Sequence, residues 1–128
     1  MGKHNFKKLK IWQEGMVLVE ETYKMIREFP TMEKFNLVSQ LIRCAVSIPS
    51  NIAEGCSRNS EMEFKRFLEI AIGSLFEVET QLTISQELGF IESENLKPIF
   101  EQCNQHGHSI GFIPTLYSYL LSISNILF

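Results

Sequence analysis

A chain of 128 residues that is 45% hydrophobic and 21% charged is long enough for one domain around one core, and too apolar to be disordered. Its net charge of −3 and isoelectric point near 5.6 argue against a domain that is basic throughout, as nucleic-acid binders usually are. The charge is uneven: Lys3, Lys7, Lys8 and Lys10 stand in the first ten residues with no acid, and every acid in the remainder is glutamate.

The opening residues are polar and lysine-rich with no apolar run behind them, so no export signal is expected. Residues 1–8 read as a mobile leader to a single domain spanning 1–128. Its lysines could contact phosphates while Phe6 or Trp12 stacks on a base. The plainer alternative is a solvated segment whose Phe6 and Leu9 pack on the end of the fold. Cys44, Cys56 and Cys103 are odd in number and form no CxxC pair, so reduced thiols and a cytoplasmic location are the expectation.

Helical periodicity begins at once. Leu9, Trp12, Met16, Val19, Tyr23 and Ile26 recur at alternating intervals of three and four, and Pro30 ends the segment. The second segment carries Val38, Leu41, Ala45, Ile48 and Ile52, with Gly55 as the expected C-terminal stop. Within it lies Ser47-Ile48-Pro49-Ser50-Asn51-Ile52-Ala53-Glu54-Gly55. An interior proline normally costs about 3 kcal/mol. Ser47, Ser50 and Asn51 are the side chains expected to satisfy carbonyls freed by Pro49.

Ser60 and Glu63 form a capping box ahead of the third segment, Phe64, Leu68, Ala71, Leu75, Val78 and Leu82, which Leu88-Gly89 closes. The fourth carries Leu96, Ile99, Cys103, His106, Ile110, Ile113, Tyr117 and Leu120. Pro98 fits a first turn if the helix starts near Asn95. Gly107, Gly111 and Pro114 weaken the later part, so a kink or break is expected between Ile110 and Pro114. Short loops make sequential helices antiparallel neighbours. The fold class is therefore all-α, an antiparallel up-down four-helix bundle with an apolar tail over 122–128. That tail is too short to span a bilayer, and no membrane association is expected.

Two polar stripes flank the apolar seams: Gln40, Ser47, Asn51 and Glu54 on the second helix, and Ser74, Glu77 and Gln81 on the third. Folding the hairpin about Cys56 to Asn59 brings Gln40 and Arg43 toward Ser74 and Glu77, and Glu54 toward Glu63 and Arg66. Pairing between helices or subunits is the favoured reading, because half-buried polar groups need partners. A ligand groove or active site built on Arg43, Asn51, Glu54 and Glu77 is the alternative. His106 falls on the apolar seam as a core histidine. Cys103 with His106 would be only half a metal site, so no metal or cofactor is expected. Val17, Leu18, Leu37, Ile42, Val46, Ile70, Ile72, Phe76 and Ile84 lie off the seams, an apolar excess that calls for another subunit.

The Ser47–Gly55 motif, followed by Arg58, Phe64, Phe67-Leu68, Ala71, Gly73-Ser74 and Glu77 through Gln81-Leu82, resembles the four-helix-bundle family named after proteins encoded in 23S ribosomal RNA intervening sequences. The resemblance runs from about Phe6 to about Leu121. It implies an up-down bundle assembled as a homopentameric ring. It also implies a link to the accessory variability determinants of diversity-generating retroelements, which bind nucleic acid and a reverse transcriptase. The expected function is a non-enzymatic oligomeric scaffold or adaptor for another macromolecule, RNA or DNA first and a protein partner second. Phosphates would meet Lys3, Lys7, Lys8, Lys10, Arg58, Lys65 and Arg66. The competing reading is a small-molecule binder or enzyme using the polar stripes.

Overall fold

The computed structural model describes residues 5–120, with side chains described as far as Ile110 except Ser93. Four α-helices follow a short 3-10 turn at Phe6–Lys8: α1 (Lys10–Met25), α2 (Leu37–Cys56), α3 (Glu61–Glu87) and α4 (Ser93–Leu120). No strand occurs among the described residues. Each helix packs on its sequence neighbour, and α1 also packs on α4, which closes the ring of four. The fold is the expected four-helix bundle. The tail over 122–128, Lys3, His4 and the first half of the leader lie outside the described residues.

The apolar periods of α2, α3 and α4 are the core. Leu41, Ala45, Ile48 and Ile52 are fully buried, as are Leu68, Ala71, Leu75, Val78 and Leu82, and Phe64 is nearly so. From α4, Leu96, Ile99, Cys103, His106 and Ile110 complete it. The capping box holds α3 at its start: the Glu63 N–H donates to Ser60 Oγ at 3.1 Å, while that hydroxyl donates to Glu63 Oε2 at 3.2 Å. At the other end Gly89 takes φ +74°, a left-handed conformation that glycine adopts without strain.

In α1 the seam lies one residue away from the apolar pattern. The buried residues are Ile11, Gly15, Leu18, Thr22 and Met25, while Met16 and Tyr23 are exposed. Two of the inward positions are glycine and threonine, which carry no hydrophobic signal. Gly15 faces Pro49 and His106: a methyl added there would sit 3.4 Å from the proline ring and 3.3 Å from His106 Cε1. Thr22 is fully buried because its hydroxyl donates back to the Leu18 carbonyl at 2.8 Å.

Gly55 does not end α2 by a left-handed turn. It lies buried in the last turn, and Ser57 caps the helix in right-handed geometry. A methyl at Gly55 would come within 2.9 Å of Phe67 Cβ and 3.0 Å of Phe64 Cδ2, so glycine is required by the close approach of α3. α4 begins at Ser93, which puts Pro98 in its second turn rather than its first. The expected break near Pro114 does not occur: the backbone runs as one helix to Leu120. Burial of Leu96, Ile99, Cys103, His106 and Ile110 outweighs Pro98 and Gly107 within that stretch, as packing commonly does.

Candidate functional site

The two polar stripes meet, but one helical turn out of the symmetric hairpin register. Ser47 Oγ and Ser74 Oγ are hydrogen-bonded to each other, and Cys44 Sγ donates to Glu77 Oε2 at 3.1 Å. Gln81 Nε2 donates to Cys44 Sγ at 3.4 Å. The residues facing Ser74 and Glu77 are thus Ser47 and Cys44, not Arg43 and Gln40, which are exposed. Cys44 is the member that sequence reasoning missed. It fills the gap between Gln40 and Ser47 in a stripe whose members otherwise stand three or four apart.

Burial, with the neighbouring Glu77 carboxylate adding to it, pushes the Cys44 thiol up to about 11. Burial alone takes Cys56 to about 11. Burial together with the charge of Glu79 takes Cys103 to about 12. All three thiols are therefore protonated at neutral pH, which deprives them of the thiolate that nucleophilic chemistry needs. Among the described residues no three histidine, cysteine or glutamate side chains cluster as metal ligands.

Asn51 Nδ2 donates to the Ser47 carbonyl at 2.7 Å, and Ser47 Oγ also reaches the Cys44 carbonyl at 3.0 Å. These bonds fall on either side of the Ala45 carbonyl, the one that Pro49 leaves without its helical donor. Asn51 is half-buried. Asn51→Ala should therefore lower stability by about 0.5–1.5 kcal/mol, the worth of one ordinary hydrogen bond, as read by urea unfolding. Glu54 pairs at 2.9 Å with Arg58, four residues on and just past the end of α2, and not with Arg66. Arg58 in turn lies 5.0 Å from the Phe67 ring centre. The pair is exposed enough that its stabilising effect is small.

The basic residues gather at one end of the bundle. The Phe6–Lys8 turn contacts α2, and the antiparallel hairpin sets the start of α3 beside the end of α2. Lys7, Lys8, Lys10 and Arg66 are exposed, and Lys65 and Arg58 are half-buried. Lys10 stands 3.7 Å from Glu14. Among the described residues, Lys7, Lys8, Lys65 and Arg66 enter none of the ion pairs. Phe6 is not free to stack on a base, because it packs edge-on against Trp12 with ring centres 5.5 Å apart, and both rings lie against the core.

A second polar place lies between α1 and α4, where Lys10 of the basic end, Glu14, Val17, Gln102, Gln105 and His106 line a cleft of about 230 Å³. It escaped sequence reasoning because its members are far apart in the chain. No helix among the described residues is long and apolar enough to cross a membrane. A family model described as 23S rRNA-intervening sequence protein matches residues 7–111. No curated protein matches the chain.

Proposed function

Because this chain belongs to the family of 23S rRNA-intervening sequence proteins, we propose that it is a non-enzymatic, self-associating scaffold that binds RNA through phosphates. The observation that carries this reading is the gathering of exposed Lys7, Lys8, Lys10 and Arg66 at the end of the bundle where α1 begins and α2 turns into α3. Phosphate contact positions a nucleic acid without reading its sequence, and lysine and arginine are the side chains that chiefly make it.

Self-association is supported by Val46, Ile70, Phe76 and Ile84, which are exposed on α2 and α3, Phe76 at 59%. Association would cover that surface and multiply the cations on one face. The polar seam between α2 and α3 supports a structural role in turn, since Ser47, Cys44, Asn51 and Gln81 spend their donors on protein partners.

Affinity for single-stranded RNA should fall with salt, with a logarithmic slope of about 0.7 per phosphate neutralised. Replacing Lys3, Lys7, Lys8 and Lys10 by glutamine should flatten the slope while light scattering still reports the same oligomer. Binding indifferent to both salt and these lysines would refute the site. A stable monomer at micromolar concentration would refute the scaffold.

A further inference from the structure

Arg58 differs from the other cations at the basic end. Its Nη2 donates to Glu54 Oε1 at 2.9 Å, so a carboxylate already meets its charge. Its Cζ lies 5.0 Å from the centre of the Phe67 ring, within the range of a cation–π contact. Its Nε is buried, yet 40% of the side chain stays open to solvent. Two contacts from different helices therefore hold the guanidinium: Glu54 in the last turn of α2 and Phe67 in the second turn of α3. Lys7, Lys8, Lys65 and Arg66 enter none of the ion pairs among the described residues.

A phosphate is poorly served at Arg58. It would have to displace Glu54 or sit beside that carboxylate, which is itself 53% exposed. A nucleic-acid base carries no charge and meets no such repulsion. Unpaired bases stack on arginine planes as well as on aromatic rings. A side chain held in place beforehand loses less freedom when it binds. Phe6 does not compete for the base, because it packs on Trp12. We propose that Arg58, held against Phe67, is a stacking platform for one unpaired RNA base, while Lys65, Arg66 and the leader lysines hold the phosphates. Lys65 and Arg66 directly precede Phe67 in α3, so platform and phosphate contacts adjoin. The platform rests on the RNA reading above and narrows its ligand to single strands, since a duplex keeps its bases paired.

Fluorescence anisotropy of the intact chain tests it, with a labelled oligouridine and a blunt RNA duplex carrying the same number of phosphates. Arg58→Lys keeps the charge beside Glu54 and removes the plane. It should weaken oligouridine binding by about fivefold or more, the lower end of what one stacked base is worth. The salt slope and the affinity for duplex should stay as in the wild-type chain, with the fold checked by circular dichroism. Arg66→Gln should act differently and flatten the salt slope for both ligands. An Arg58→Lys curve that overlays the wild type, or an equal loss for oligouridine and duplex, would overturn the platform and leave the phosphate site standing. Binding of neither RNA would refute the RNA reading itself, and the platform with it.

Discussion

Replacing Gly55 with alanine should destabilise the bundle by about 1–3 kcal/mol, the range for overfilling a packed core. The direction opposes helix propensity, which favours alanine over glycine by up to about 1 kcal/mol. The reason lies in α3. The new methyl would meet Phe67 Cβ at 2.9 Å, and a Cβ is fixed to its backbone and cannot rotate away. The Phe64 ring at 3.0 Å is itself 2% exposed and has nowhere to retreat. The helices must therefore separate, which loosens the contacts between α2 and α3 along their length. Gly73 is the control. Nothing lies within 4 Å of a methyl added there, so Gly73→Ala should raise subunit stability by about 0.5–1 kcal/mol. If subunits associate through the exposed face of α3, the same change should weaken association without weakening the subunit. Urea unfolding of the two variants, alongside light scattering, separates these effects. A neutral Gly55→Ala would mean that α2 and α3 are free to shift.

Acidification below the ordinary histidine range should destabilise the protein through His106. Burial is the largest influence and lowers its pKa from 6.5, while the Ile11 carbonyl and the Glu14 carboxylate oppose it without overcoming it. The folded chain thus keeps His106 neutral at pH values where the unfolded chain has already taken up the proton. Stability from this residue is complete above pH 6.5 and is lost as the pH falls from there toward the lowered native value. The loss has a limiting slope of about 1.4 kcal/mol per pH unit. Thermal melts between pH 7.5 and 5 should show it for the wild-type chain, and less of it for His106→Gln, whose amide can still donate to the Ile11 carbonyl. Parallel curves for the two chains would place the acid sensitivity elsewhere.

The seams of α2, α3 and α4 were legible because aliphatic side chains mark them: Leu41, Ile48 and Ile52, then Leu68, Leu75 and Leu82, then Leu96 and Ile110, all fully buried. The cap at Ser60 and the turn at Gly89 were legible for the same local reason, since each depends on residues within one turn of it. The seam of α1 was not. Its inward face includes Gly15 and Thr22, whose place is set by partners on other helices or by a hydrogen bond that hides a hydroxyl. Trp12, Val19 and Ile26 flank the core and outweigh the true seam in any hydrophobic count.

By itself the sequence determined what short-range chemistry can determine: four amphipathic helices, their order, their antiparallel sense, the cap of α3 and a lysine-rich start. Tertiary structure decided the facing of α1, the one-turn offset of α2 against α3, and the unbroken passage of α4 to Leu120. It also decided that Cys44 meets Glu77 and that His106 and Glu14 share a cleft. The physical reason is the same for the facing of α1 and for the offset of α2 against α3. Periodicity records which side chains avoid water, whereas register and facing depend on how closely two backbones can approach. That approach is fixed at Gly15 and Gly55 by side chains of other helices, and a glycine has no side chain with which to announce it.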